Sequence, residues 1–361
     1  MKQMVEMKQD YDWLQSVDSQ SLNASLLHME SAYKNFFRGG GFPKFKSRRN
    51  KQSFQSPCNK REIDFEKGLL SIPKLKNIPI VISREFKGKI KTITITRGAS
   101  GKHFASILVD TQQDAPQKKP IQNVVGMDLG VKFFAALSDD TYIENPRFLE
   151  QEIERLKHLQ KQASRKVKGS QNHKKSLKKV AIQHEKIANE RKDFLHKNST
   201  LIVKKFDTII VEDLATANLT KRCKPKQDEA GKYLPNNQSQ KRGLNKSILD
   251  AGWATFVEML KYKCEFYGCN FVKVDRFFAS SKTCSNCGRK NENLTLKDRE
   301  WDCEDCGHHH ERDNNASKTI KQEGIRLLRN KKSGRGTSKE PVESRRLRRA
   351  RKQEKIFIQS K

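Results

Sequence analysis

The sequence predicts a multidomain α/β protein, on three observations. Short period-two segments between Ile63 and Asp110 read as a small β-barrel or sandwich. Beyond residue 120, apolar strand-like runs alternate with longer helical patterns, the signature of an α/β domain. Four cysteines, Cys284, Cys287, Cys303 and Cys306, spaced C-x2-C-x15-C-x2-C, read as a zinc ribbon set within that domain.

The elements follow in order. Leu22, Leu26, Met29, Tyr33 and Phe37 recur at helical spacing, which predicts an amphipathic helix over 19–37, stopped by Gly39-Gly40-Gly41. The next ten residues interleave Phe42 and Phe45 with Lys44, Lys46, Arg48, Arg49 and Lys51. Such cations can neutralise phosphates while rings stack on bases; equally, the two rings can anchor a basic loop to the core. Strands are predicted at 80–82, 90–96 and 104–110, giving a β-barrel over 56–112 behind a helical segment at 1–55. The polar stretch 111–120, with two prolines, is the domain boundary.

A strand pair over 123–130 and 131–138 opens the second domain. Residues 145–200 read as mostly helical, with Ile153, Leu156 and Leu159 on one stripe. Within them a cation run, including Lys161, Arg165, Lys166, Lys168, Lys174 and Lys175, is interrupted by Gly169-Ser170 at a helical hairpin tip. Such a run is often only a solvated face, but its density here argues for phosphate contact. A strand over 206–214, a flexible loop over 220–245, an amphipathic helix marked by Trp253, Phe256, Val257, Leu260 and Cys264, and a strand over 270–275 come next. The ribbon occupies 280–310 and a helix covers about 314–328. Residues 329–361, rich in Lys and Arg with few apolar residues, are expected to be a disordered basic tail.

Lys and Arg total 74 against 42 Asp and Glu, a net charge of +32. A single-sign surplus of that size repels itself; what it suits is a polyanion, and nucleic acid is the usual one. No run of eighteen apolar residues exists, so no membrane span is expected, and the polar start lacks the apolar core of a secretory signal. Cys58, Cys223, Cys264 and Cys269 are scattered and read as reduced thiols, which places the protein in the cytoplasm, in association with the nucleoid.

Two sets of residues carry chemistry. Four thiolates fill the tetrahedral shell of Zn2+, leaving no position for water, so the zinc is read as structural; His308, His309 and His310 are not needed as ligands. Gly288 and Gly307 follow the second cysteine of each pair, where a tight knuckle turn favours positive φ. The second set is acidic. Asp128 is a charge inside an apolar strand, Glu212 ends the strand Ile209-Ile-Val211, and Asp313 starts a helix, where capping alone would account for it. Together they match two-metal phosphodiester hydrolysis, in which carboxylates hold two divalent ions, Mg2+ or Mn2+. Asp213 is directed to the opposite face by strand alternation.

Asp128 in Val-Val-Gly-Met-Asp-Leu-Gly, Glu212 in Ile-Val-Glu-Asp-Leu, Arg312-Asp313-Asn314-Asn315-Ala316 after a four-cysteine ribbon, and the run Asp275-Arg-Phe-Phe-Ala-Ser-Ser-Lys-Thr-Cys284 recur together in one family. From about Gln9 to Leu328 the chain resembles the TnpB (OrfB) proteins of insertion sequences, relatives of compact type V CRISPR nucleases. The resemblance implies a RuvC-like nuclease domain of ribonuclease H fold over 121–328, with Asp128, Glu212 and Asp313 as its catalytic acids. It further implies that 1–55 is part of a helical recognition segment and that 56–112 is an oligonucleotide-binding-like barrel. The implied partners are a guide RNA made from the end of the element and a target DNA, cut with magnesium and serving DNA transposition. Members usually begin with a further segment carrying the first barrel strands, so the barrel is expected to lack a strand and to leave an edge unpaired. A non-catalytic RNA- and DNA-binding repressor is the alternative.

Overall fold

A computed structural model describes residues 2–47, 50, 52–57, 62–295, 297–332 and 353–360. Arg48, Arg49, Lys51 and Cys58 lie outside the described residues. The chain divides into two units between Asp114 and Ala115, with residues 166–182 and 353–360 grouped with the first.

The first unit begins with helices α1 (Lys2–Asp10), α2 (Asp12–Gln15) and α3 (Ser19–Phe37). The sequence pattern gives the bounds of α3. The Asp18 carboxylate caps it, accepting from the amides of Gln20 and Ser21 at 3.3 and 3.1 Å. Strands β1 (Gln52–Ser56), β2 (Glu62–Asp64), β3 (Leu69–Ile72), β4 (Leu75–Val81), β5 (Lys89–Arg97) and β6 (His103–Asp110) form two antiparallel runs, β1-β5-β6 and β4-β3-β2. Period two holds on β6, whose Ala105, Ile107 and Val109 are buried with Leu70, Ile72, Ile80 and Ile93. The sheet begins at Gln52 rather than at 56. With one large apolar side chain, Phe54, β1 has no readable alternation; its pairing with β5, from Gln52 opposite Arg97 to Ser56 opposite Ile93, defines it.

The linker 111–120 carries no helix or strand. Then come β7 (Val124–Leu129), β8 (Phe133–Leu137), β9 (Tyr142–Glu144), α4 (Phe148–Ser164) and, past the Gly169-Ser170 turn, α5 (Gln171–Lys205). They are followed by β10 (Thr208–Glu212), α6 (Thr216–Leu219), the short ladder of β11 (Lys226–Gln227) and β12 (Tyr233–Leu234), α7 (Gln238–Ala251), α8 (Trp253–Tyr267) and β13 (Asn270–Val274). The ribbon pair β14 (Glu300–Asp302) and β15 (His309–Glu311) leads directly into α9 (Arg312–Lys332).

Five strands form the second sheet in the order β13-β10-β7-β8-β9, with β7, β10 and β13 parallel and β8 antiparallel to both neighbours. Both faces are covered, which is why β7 and β10 read as nearly continuous apolar runs. Val125, Met127 and Leu129 of β7 and Ile209 and Val211 of β10 pack in the main core with Leu195 of α5 and Phe256 and Leu260 of α8. The alternate residues face α9, where Ile210, Val274 and Ile320 are buried together. At Gly126 the helix backbone comes so close that an added Cβ would stand 2.2 Å from the Ser317 carbonyl oxygen and 2.5 Å from the Lys321 nitrogen. Gly126→Ala is therefore expected to cost about 3 kcal/mol by pushing α9 off the sheet. A wild-type denaturation midpoint in that variant would refute the close contact.

Two stretches read from composition as loop or disorder are structured in part; residues 333–352 of the second lie outside the described residues. Within 220–245 lie β11, β12 and, from Gln238, the first turns of α7. That helix is anchored by Ile248 and Ala251, buried beyond the polar window, and the anchor extends it back into the polar sequence. In the tail expected over 329–361, α9 continues to Lys332, and β16 (Gln353–Ser360) pairs antiparallel with β6, from Gln353 opposite Asp110 to Gln359 opposite Phe104. It also pairs with β4 at Val81 and Ile80, which joins the two runs into one sheet, β1-β5-β6-β16-β4-β3-β2. The edges of β6 and β4 are thus paired, and among the described residues the sheet ends on β1 and β2. The run Ile356-Phe357-Ile358 favours a strand, but the surrounding cations mask it in an average over the tail. No helix among the described residues is long and apolar enough to cross a membrane.

Candidate active site

The alternation that sends Val125, Met127 and Leu129 into the main core turns Asp128 to the α9 face. The same rule turns Glu212, because Ile209 and Val211 pack on the opposite side. Met127 pairs with Val211, and Asp128 and Glu212 are the next residues, so the two carboxylates lie side by side near the C-terminal ends of adjacent parallel strands. Asp313 enters from the first turn of α9. It lies one turn before Ser317, whose carbonyl abuts Gly126, two residues before Asp128 on the same face. The structure thus brings together all three acids singled out by sequence.

Their charges act on one another. Burial lifts the Asp128 carboxyl to about 7; the charges of Asp313 and Glu212 push it the same way, while Arg312 and the Leu129 amide pull it back. Burial also raises Glu212, opposed by a hydrogen bond from the Ser280 side chain. Carboxylates that repel one another are hard oxygen donors of the kind a divalent cation prefers, though among the described residues the group whose donor atoms already stand gathered for an ion is the four cysteines. Asp213 does not join them. Lys273 and Arg276 hold it in ion pairs of 3.2 and 2.7 Å, and together they draw its carboxyl below the usual range against the opposing effect of burial.

Three residues near the acids were not singled out by sequence. Arg312 supplies the positive charge nearest Asp128 in effect, and Ser280 reaches Glu212. Asn315, 1 % exposed, donates to the Thr283 carbonyl at 2.7 Å and accepts from the Ser285 amide at 2.9 Å. Ser280 and Asn315 lie inside the runs Asp275–Cys284 and Arg312–Ala316, but a serine or asparagine leaves no periodic signal that assigns it a role.

The four cysteines gather as their spacing predicts, with every sulfur within 4.8 Å of the others. Cys284 and Cys306 sulfurs are 3.7 Å apart, and those of Cys287 and Cys303 are 3.5 Å apart. A tetrahedron of Zn–S bonds has an edge of about 3.8 Å, so the thiols fit such an ion. Both knuckles close on glycines in the left-handed region, Gly288 at φ 81° and Gly307 at φ 65°. Their amides donate to the carbonyls of Cys284 and Cys303 at 2.9 and 2.8 Å. The amides of Asn286 and Cys287 approach the Cys284 sulfur at 3.4 and 3.5 Å. His310 lies with Nε2 at 3.0 Å from the same sulfur, a hydrogen-bond distance rather than a metal bond. Burial holds its imidazole below the ordinary range.

Of the cations assigned to nucleic acid, Lys44, Lys46, Lys161, Arg165, Lys166, Lys168, Lys174 and Lys175 are exposed. Phe42 anchors its loop by packing edge-on against Phe36 and Tyr33, at centroid distances of 5.3 and 6.1 Å. Phe45 stands fully exposed. Exposure leaves Phe45 without a ring partner among the described residues, whereas Phe42 has two. In the main core, Cys264 and Cys269 are fully buried, away from the four-cysteine cluster.

Residues 106–222 match the family model OrfB_IS605, described as "Probable transposase", and residues 253–320 match one described as "Cas12f1-like, TNB domain". The chain is 35% identical over 318 residues to a Streptomyces pristinaespiralis protein named "Putative RNA-guided DNA endonuclease", covering 87% of this chain and 73% of that one. It is 34% identical over 335 residues to "Putative RNA-guided DNA endonuclease InsQ" of Escherichia coli (strain K12), covering 92% and 81%. A solved Cas12f1-sgRNA-target DNA complex aligns at 16% identity with a TM-score of 0.46, over 81% of this chain and 69% of that one.

Proposed function

The chain belongs to the TnpB/OrfB family of insertion-sequence proteins, and from that premise we propose that it is an RNA-guided DNA endonuclease whose cutting depends on divalent metal held by Asp128, Glu212 and Asp313. The observation that carries this reading is the convergence of those acids from β7, β10 and α9, with Asp128 raised to about 7. A five-stranded mixed sheet with acids on two central strands supports a RuvC-like, ribonuclease H fold for the second unit. The antiparallel sheet of the first supports the oligonucleotide-binding-like barrel. Zinc at the four cysteines would be structural, because all four positions around it are taken.

When bound, Mg2+ or Mn2+ at the acids supplies activation of water and stabilisation of the charge on the leaving oxygen. The chain's own residues prepare the place. Ser280 orients Glu212, Arg312 favours the ionised form of Asp128, and the close seating of α9 on Gly126 sets the reach of Asp313. A guide RNA from the element end would read the target by base pairing. The exposed lysines and arginines around Lys44 and from Lys161 to Lys175, with the +32 surplus, would hold phosphates without reading sequence.

The test is Asp128→Ala in the full chain with its RNA. Cleavage of matched DNA in magnesium is expected to vanish while RNA binding, read by gel shift, is unchanged. Cutting that persists in this variant would sink the proposal, and target DNA left intact by the wild-type complex would favour the non-catalytic repressor.

A further inference from the structure

One short segment touches both the cysteine cluster and the acids. At its start, the Ser280 side chain hydrogen-bonds Glu212 and its carbonyl accepts from Thr319 Oγ1 at 2.9 Å. At its end, Cys284 is a member of the four-thiol cluster. Asn315 clasps the residues on either side of that cysteine, donating to the Thr283 carbonyl and accepting from the Ser285 amide. Gln322 Nε2 adds a bond to the Ser285 carbonyl at 2.7 Å. Asn315, Thr319 and Gln322 all belong to α9, and Asn315 stands two residues after Asp313.

We propose that Asn315 is a positioning residue that couples the cysteine cluster to the divalent-metal site at the acids, so that filling the first strengthens the second. The coupling rests on the proposed metal-binding role of the acids. Four thiolates repel one another unless an ion joins them, so the ion fixes Cys284 and hence Thr283 and Ser285. Asn315 is buried and cannot exchange its two partners for water. If the knuckle shifts, either the first turn of α9 follows it and carries Asp313 away, or a carboxamide and two backbone groups are left unpaired. The carboxamide itself is committed to the knuckle backbone, so it acts on the acids only through α9. By linkage, metal at the acids favours the ordered knuckle in return.

The experiment measures Mn2+ binding to the full chain without nucleic acid, by electron paramagnetic resonance of the free ion, in zinc-loaded and zinc-stripped protein. Stripping is expected to weaken wild-type Mn2+ binding about tenfold, the low end for loss of support around a metal site. Zinc-loaded Asn315→Ala should already be about tenfold weaker, and stripping should add less than about twofold. The thiolate absorption of the Co2+-substituted variant should match wild type, which separates this effect from loss of the cluster. Unchanged Mn2+ affinity in zinc-loaded Asn315→Ala, or a full tenfold loss when that variant is stripped, overturns the coupling and leaves the metal-dependent reading standing. A zinc-loaded wild-type chain that binds no Mn2+ overturns both. Should Asn315→Ala lose its cooperative melt, Asn315→Ser, neutral and too short to span both the Thr283 carbonyl and the Ser285 amide, takes its place; unchanged Mn2+ affinity there also overturns the proposal.

Discussion

Asp128→Asn is expected to stabilise the magnesium-free protein at pH 8 while abolishing cleavage. The Asp128 carboxyl rises from 3.8 to about 7 in the fold, so between those values the native state keeps a proton that the unfolded chain releases. This raised group contributes stability that is fully present below about pH 4 and is lost as pH rises through about 7. At pH 8 a wild-type chain without metal must hold an unfavourable charge beside Asp313 and Glu212. Three pKa units correspond to about 4 kcal/mol, and partial access of water to Asp128 reduces that to about 2–4 kcal/mol. Asparagine keeps the shape and removes the charge, so the variant should gain that amount at pH 8 and little at pH 4. Urea titrations of zinc-loaded protein without magnesium at both pH values measure it. A variant no more stable than wild type at pH 8 would show that the acids do not strain the fold. The same proton competes with magnesium, so cleavage at subsaturating magnesium should rise with pH up to about 7 and then level off.

The residues that make this argument were only partly legible in the sequence. Asp128 was visible because a lone charge interrupts Val124-Val-Gly-Met127, and Asp213 could be set aside because a strand alternates. The bounds of α3 and the cysteine knuckles were legible for the same reason, since period and spacing are local. Ser280 and Asn315 were not, because their importance lies in which backbone groups they meet across the fold. Gly126 gave no sign that a helix backbone would lie against it. β16 stayed hidden because its strand character comes from two edges more than two hundred residues away in sequence, and no average over a basic tail reports that. The start of α7 is not legible because its anchor, Ile248, lies past the polar window 220–245.

Stripping zinc from the four cysteines should unfold the ribbon while the five-stranded sheet remains. The ribbon's own core contains Cys284, Leu294, Trp301 and Cys303, and two of these are cysteines of the four-thiol cluster. Burial of Leu294 and Trp301 contributes about 1.5–3 kcal/mol each, and the hairpin of β14 and β15 pairs only three residues on each strand. Ordering some thirty residues costs far more than that, whereas binding of structural zinc supplies about 10–16 kcal/mol. The main core around Met127, Ile209 and Phe256 does not draw on the cluster and should keep its cooperative transition. Trp301 is 8 % exposed, Trp13 is already 64 % exposed, and Trp253 lies in the main core expected to persist, so a red shift of tryptophan emission on chelation reports the ribbon, with Trp301→Phe as the control that removes it. Limited proteolysis should then cut between residues 285 and 310 in chelator and spare them in zinc, and Cys303→Ser should behave as the stripped protein even with zinc present. Emission and proteolysis that stay unchanged after verified zinc loss would mean the ribbon holds its shape without metal. Asn315 would then be clasping a knuckle that needs no ion, and nothing would pass from the cysteines to Asp313.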